Sequence, residues 1–233
     1  MNAFRFKQFE VAHDKCAMKV GTDGVLLGAW ANHFSPQTIL DIGTGSGLIA
    51  LMLAQRFDNA KIIGIDIENS AIEQANENFS RSNWNDRLTV QNSDLGQFQS
   101  DNFDLIVSNP PFFNGTYFSG NTERDTARQN DSLPPALLFQ KVAELLNKDG
   151  HFCCIVPTEH KAVYIQEAQF SHLFLNQELR VKGHPDKPYK RELLLFSKRS
   201  SELISNSLTI ETNKRHEYTA QYLTLVKDFY LFA

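Results

Sequence analysis

The chain has 233 residues, 42% of them hydrophobic and 21% charged, with a formal net charge of −4. That is a globular composition, ample for a buried core, and it excludes a disordered chain, a collagen-like repeat, a coiled coil and a protein that binds nucleic acid as a bulk polycation. Of its 3 Cys, Cys153 and Cys154 are adjacent, which argues against a disulfide framework, and no C-x-x-C suggests a zinc site.

Residues 1–20 have no apolar h-region, so no secretory signal is expected. They carry Phe4, Phe6, Phe9 and Val11 in short alternating stretches that suggest a hairpin. Thr22-Asp23-Gly24 then opens a helix through Trp30. Residues 39–42 form an apolar run that ends at a glycine cluster, and residues 46–57 are rich in helix-forming apolar side chains. A β-branched run over 61–67 predicts a strand, and 71–79 predicts a helix behind an Asn69/Ser70 cap. Strands are expected at 88–90 and 103–107. Leu138, Val142, Leu145 and Leu146 fall at helical spacing, with Gly150 as the stop, and 151–156 reads as the next strand. After Pro157 come a weak helix, a basic stretch over 180–191, a strand over 192–197 and a tail ending Asp228-Phe229-Tyr230-Leu231.

Strands buried on both faces and alternating with helices predict an α/β protein with a Rossmann-like, doubly wound, mostly parallel sheet. No Pro/Gly/Ser linker divides the chain. One domain over 1–233 is expected, with an N-terminal extension (1–34) and a C-terminal tail (200–233).

Leu40-Asp41-Ile42-Gly43-Thr44-Gly45-Ser46-Gly47 joins a strand to a helix, where glycines permit a tight turn and close approach of backbone to a ligand. The spacing is G-x-G-x-G, Leu48 stands where a dinucleotide fold has its third glycine, and no Lys-Ser/Thr follows, so this is no P-loop. Asp41 would sit badly beside a pyrophosphate and well beside an ammonium group. Asp66 ends the next strand, where a carboxylate receives the hydroxyls of a ribose. Asp94 ends the third strand, where it can receive an exocyclic amine of adenine. Carboxylates at the ends of consecutive strands describe a nucleoside with a cationic amino-acid tail, S-adenosylmethionine.

Asn109-Pro110-Pro111-Phe112 follows the fourth strand at once. The prolines freeze the chain as it leaves the sheet. The Asn109 side-chain oxygen and the Pro110 carbonyl can then converge on one amino group. They hold its hydrogens and aim its lone pair at a methyl donor, while Phe112 offers a flat face to the ring. The His residues form no H-E-x-x-H, so no metal is expected, and Cys153 and Cys154 read as core.

Residues 41–47, Asp66, Asp94 and 109–112 together resemble the class I S-adenosylmethionine-dependent methyltransferases of the amino-methylating N-P-P-[FY] group. The resemblance implies a seven-stranded sheet whose last strand is antiparallel. It implies a cofactor set of Asp41, Gly43, Thr44, Gly45, Gly47, Asp66, Ile67, Asp94 and Asn109, with Asn109, Pro110, Pro111 and Phe112 at the chemistry. N-P-P-Y is usual in the branch that methylates a glutamine of release factors; Phe112 fits the nucleic-acid branches better. The block from Ala17 to Trp30 resembles the N-terminal signature of the tRNA(Val) adenine-37 N6-methyltransferase family, and Phe6-x-Gln8-Phe9 and the ending Tyr218-Thr219…Tyr222…Asp228-Phe229-Tyr230-Leu231 are similar to that family too. The expected function is therefore N6-methylation of an adenine in tRNA beside the anticodon, in the cytoplasm, by a protein for which a monomer is favoured. The alternatives are an N-P-P methyltransferase of rRNA, DNA or a protein glutamine, and a catalytically silent nucleotide-binding scaffold. Val25, Leu26, Leu27 and Trp30 are expected to roof the core and help cover the cofactor.

Arg180, Lys182, Lys187, Lys190, Arg191, Lys198 and Arg199 outnumber Asp186 and Glu192 and read as a basic loop before the last strands. Of these, Lys182, Lys187, Lys190 and Arg191 are the expected phosphate contacts. Residues 113–131, with Tyr117, Phe118, Arg124 and Arg128, look like a loop over the target base, with Arg128 a substrate contact.

Overall fold

The computed structural model describes residues 3–16, 18–31, 35–111 and 133–233. Its centre is an eight-stranded sheet built from β3 (Thr38–Ile42), β4 (Lys61–Asp66), β5 (Leu88–Asn92), β6 (Phe103–Ser108), β7 (Leu146–Pro157), β8 (Phe174–Lys182), β9 (Arg191–Ser197) and β10 (Ile204–Thr209). Their spatial order is β10-β8-β9-β7-β6-β3-β4-β5. From β5 through β7 every neighbouring pair is parallel; β9 runs antiparallel to both β7 and β8. The doubly wound, mostly parallel sheet is as the sequence predicts, and β9 supplies the antiparallel strand that the resemblance implies. The sheet has one strand more than the resemblance implies, because β10 lies parallel against β8 within what reads as a tail.

The chain winds from β3 outward to β5, then returns to place β6 on the other side of β3. That reversal makes the crevice at the carboxyl ends of β3 and β6 the site where such sheets bind ligands. The strands alternate their side chains between two cores. Ile39, Leu105, Val107, Cys153 and Leu193 face one, and Leu40, Ile106, Phe152, Cys154 and Leu194 the other. Burial pushes both thiols far up, so Cys153 and Cys154 are filling rather than nucleophiles.

Helices α1 (Thr22–Trp30), α2 (Leu48–Arg56), α3 (Asn69–Ser80) and α6 (Ala220–Val226) cover the first face; α4 (Pro135–Leu145) and α5 (Lys161–Phe170) cover the second. Helix α1 is apolar all round and every residue from Gly24 to Trp30 is buried. It lies close on α2, since a Cβ at Gly28 would stand 2.7 Å from the Met52 sulfur. The N-terminal hairpin, β1 (Ala3–Arg5) and β2 (Glu10–Ala12), clasps the C-terminal segment. Lys7 Nζ donates to the carbonyls of Lys227 at 2.6 Å and Ala233 at 2.7 Å, and Phe6 stacks on Tyr230.

Some local expectations change. Asn69 and Ser70 do not cap α3; Glu68 precedes the helix, and the Asn69 side-chain oxygen instead accepts from Asn92 at 2.9 Å. Gly150 does not stop α4, which ends at Leu145. It lies inside β7, where a Cβ would press to 2.9 Å from the Phe103 carbonyl at a register shift between β6 and β7. Residues 180–182 are not loop: they end β8, a strand that polar residues such as Asn176 and Glu178 disguise in the sequence although both are buried.

Candidate active site

The Ser108 hydroxyl at the end of β6 donates to the Ile42 carbonyl at the end of β3, 3.0 Å away. Gly43 and Asn109 therefore leave the sheet side by side. The Gly43 and Thr44 amides both bond the Ile65 carbonyl, at 2.9 and 3.0 Å, which folds the glycine loop back over β4. Gly43, Gly45 and Gly47 adopt left-handed φ of 70°, 55° and 78°. Added Cβ atoms at Gly43 and Gly45 would meet nothing within 4 Å among the described residues, which leave the space above them open to a ligand. Gly47 differs: there a Cβ would strike the Phe79 ring of α3, so this glycine serves packing.

The carboxylates take distinct environments. Asp41 is wholly buried, and its Oδ2 accepts from the Thr44 hydroxyl at 2.7 Å, while Oδ1 lacks a hydrogen-bond partner among the described residues. Burial pushes its pKa up to about 7, against the pull of the Thr44 hydroxyl and the Ala50 amide; the charge on Asp66 adds to the push. Asp66 is half-buried. It receives the Gly45 amide on Oδ2 at 2.9 Å and the Glu68 amide on Oδ1 at 3.1 Å, which fixes the carboxylate while each oxygen keeps a second lone pair. Ile67 beside it is 50% exposed, a bare apolar face at the mouth. Asp94 is exposed two residues beyond β5, where its Oδ1 accepts the Gly96 amide at 2.7 Å.

Pro110 is buried and Pro111 exposed. The Asn109 Oδ1 is buried, yet no group among the described residues donates to it. Phe112, Arg128 and the rest of 113–131 lie outside the described residues. On the same edge of the sheet stand the ends of β7 and β8 and the start of β9, since Pro157 and Val181 both pair with Arg191. The basic hairpin 183–190 therefore rises from the edge that carries Asn109. Within it Lys187 and Lys190 are exposed, whereas Lys182 donates to the Pro185 carbonyl at 2.6 Å and Arg191 pairs with Asp23 of α1 at 2.7 Å.

Sequence reasoning does not find Asn78. This buried residue of α3 exchanges hydrogen bonds with Ala12, 3.0 Å to its amide and 2.8 Å to its carbonyl, and donates to the Ser46 carbonyl at 2.8 Å. It ties the N-terminal hairpin to the glycine loop. Its signal is only an Asn on the inner face of an amphipathic helix. After β2, burial pushes the Cys16 thiol up, and the charge of Asp66 adds to the push. Among the described residues, no group of His, Cys, Asp and Glu could hold a metal ion, and no helix is long and apolar enough to cross a membrane.

The residues present fit an S-adenosylmethionine. A buried, unpartnered carboxylate oxygen suits its ammonium, a fixed carboxylate its ribose, and open space over two glycines its chain. With the strand order, these define an S-adenosylmethionine-dependent methyltransferase. A methyltransferase domain model matches residues 33–202. A tRNA1(Val) (adenine(37)-N6)-methyltransferase from Christiangramia forsetii is 46% identical over 98% of this chain and 97% of its own length. One from Pectobacterium carotovorum is 45% identical over 99% of this chain and 94% of its own. The chain belongs to this tRNA1(Val) (adenine(37)-N6)-methyltransferase family. Solved structures agree at the level of fold: a predicted O-methyltransferase of Agrobacterium tumefaciens superposes with TM-score 0.67 at 16% identity, over 89% of this chain and 96% of that one. An O-methyltransferase of Brevibacillus brevis in complex with S-adenosyl-L-homocysteine superposes at 0.53 and 16%, over 75% of this chain and 70% of that one.

Proposed function

We propose that the protein methylates N6 of an adenine in tRNA, at position 37 of tRNA1(Val), in the cytoplasm and as a single-domain monomer. The near full-length likeness to relatives bearing that name supports the substrate. The observation that carries the chemistry is the orphaned Asn109 Oδ1, a desolvated acceptor that lacks a donor among the described residues. Buried acceptors are rarely left so, and an exocyclic amino group supplies what this one lacks.

When bound, S-adenosylmethionine supplies a methyl group made electrophilic by its sulfonium. Asp41 Oδ1 would take its ammonium, Asp66 its ribose hydroxyls, Ile67 the face of its adenine and Asp94 the amine of that ring. Asn109 Oδ1 and the Pro110 carbonyl accept the two hydrogens of the target amine. This turns the nitrogen lone pair out of the plane of the ring and toward the methyl group. Stacking on Phe112 holds the base, worth about 1–3 kcal/mol. An anticodon-loop base is already unpaired, so swinging it out costs only a few kcal/mol.

Incubation with labelled S-adenosylmethionine and total tRNA, followed by nucleoside analysis, tests this. Label in N6-methyladenosine is expected. Label confined to rRNA, DNA or protein glutamine would overturn it in favour of another N-P-P branch, and retention of the cofactor with no transfer would favour the silent scaffold.

A further inference from the structure

The cations of the β8–β9 hairpin serve different ends. Arg180 and Lys182 lie on one face of β8 and hold their charged ends 5.0 and 5.6 Å from the centre of the Tyr189 ring. Lys182 is further fixed on the Pro185 carbonyl. Arg180 is the register partner of the buried Glu192 and acts on the charge of Glu178. Arg191 is held by Asp23 and by the Lys190 carbonyl. The backbone is tied as well: the Lys190 amide bonds Val181, the Lys187 amide bonds His184, and the Lys190 carbonyl accepts from Thr158. Lys187 and Lys190 remain, exposed, with no described residue engaging either ammonium.

We propose that Tyr189 is the positioning residue of a phosphate-binding arm, its ring gathering Arg180 and Lys182 at the base so that Lys187 and Lys190 alone meet RNA phosphates. Resting on tRNA as the substrate, this narrows the basic stretch to two contacts and gives the others a different task. A cation already held against a carboxylate, a backbone carbonyl or an aromatic face is turned away from a passing phosphate, so it adds little to the salt dependence of binding. The arm stands two to three strand spacings from β6, about 10–15 Å. Its contacts therefore fall on the backbone flanking the target base rather than on the base, fixing orientation without reading sequence.

The test is tRNA binding by the full chain at several salt concentrations, with steady-state kinetics. Lys187→Ala and Lys190→Ala should each flatten the log–log salt slope by about 0.7–0.9. Lys182→Met should leave the slope unchanged. Tyr189→Leu should raise KM for tRNA roughly three- to tenfold with kcat and S-adenosylhomocysteine affinity unaltered, and Tyr189→Phe should restore KM because the ring face is retained. The assignment is overturned if Lys182→Met flattens the slope as Lys187→Ala does, or if Tyr189→Phe is as damaging as Tyr189→Leu. A wild-type chain that binds no tRNA even at low salt would overturn the substrate itself, an outcome distinct from any difference among the variants.

Discussion

Ser108 reaches across the switch point to the Ile42 carbonyl, and this one bond, 3.0 Å long, seats the Asn109-Pro110 turn beside the glycine loop. In the proposed reaction both reactants are thus placed by neighbouring strand ends of a single sheet. A displacement of about 1 Å in such a site is costly, since near-attack geometry requires the reacting atoms within roughly 3–3.5 Å.

Replacing Asn109 by Ala should slow methyl transfer by roughly 10²–10³-fold, the scale for one preorganised polar contact. Cofactor affinity should be nearly unchanged. Single-turnover rates with saturating tRNA measure it, and a wild-type rate in Asn109→Ala would rule out the mechanism. Phe112→Ala should weaken engagement of the base, and Phe112→Tyr should be mild.

Asp66→Ala should weaken S-adenosylhomocysteine by about 1.5–3 kcal/mol, the range for hydrogen bonds to a charged group. Calorimetric titration reads this directly. Unchanged affinity, or tighter binding of NAD than of S-adenosylhomocysteine, would remove Asp66 from the ribose site.

Asp41 predicts a pH dependence with a definite sign. The ligand-free folded chain keeps a proton on this group up to about pH 7, whereas the reference value is 3.8. The stability it contributes is therefore present at low pH and is lost as pH rises through that window. A ligand ammonium favours the ionised carboxylate, so S-adenosylhomocysteine affinity should rise over the same interval, with a proton released on binding. Calorimetry in two buffers of different ionisation enthalpy counts the proton. Asp41→Asn should raise the ligand-free melting temperature near pH 8 while weakening binding and making it insensitive to pH. A flat wild-type affinity between about pH 5.5 and 8 would contradict the assignment of the ammonium to Asp41.

Asn78→Leu should strand the Ala12 amide and the Ala12 and Ser46 carbonyls. Leaving three buried polar groups unpaired, at about 1–3 kcal/mol each, costs roughly 3 kcal/mol or more in sum, which for a chain of this size lowers the thermal midpoint by at least about 6–12 °C. A scanning melt checks it. S-adenosylhomocysteine affinity should fall as well, because Ser46 belongs to the glycine loop.

Asp41, Asp66 and Asn109 are legible in the sequence because each lies at or beside the end of an apolar run, and a strand end in a parallel sheet is already a position in space. The glycine spacing is legible for the same reason. The inward turn of the Thr44 hydroxyl onto Asp41 is not, since it depends on the depth of burial. Strand β8 is hidden because its inner face buries Glu178, whose compensation by Lys161 and Ser205 comes from elements 17 and 27 residues away. Tyr189 and Asn78 likewise act through partners that local patterning does not reveal. The added strand β10 escapes because Ile204–Thr209 is mostly exposed and lacks the apolar alternation of its neighbours.

In the proposed reaction the Asn109 oxygen, unpartnered among the described residues, would also act as a filter. Facing only acceptors, a purine with oxygen at C6 would set lone pair against lone pair, so guanine and inosine are turned away by repulsion even where they fit by size. The same logic applies once the reaction is over. A singly methylated amine has one hydrogen left for two acceptors, so the site holds its product less well than its substrate. In the proposed reaction, release would then be favoured over a second methylation.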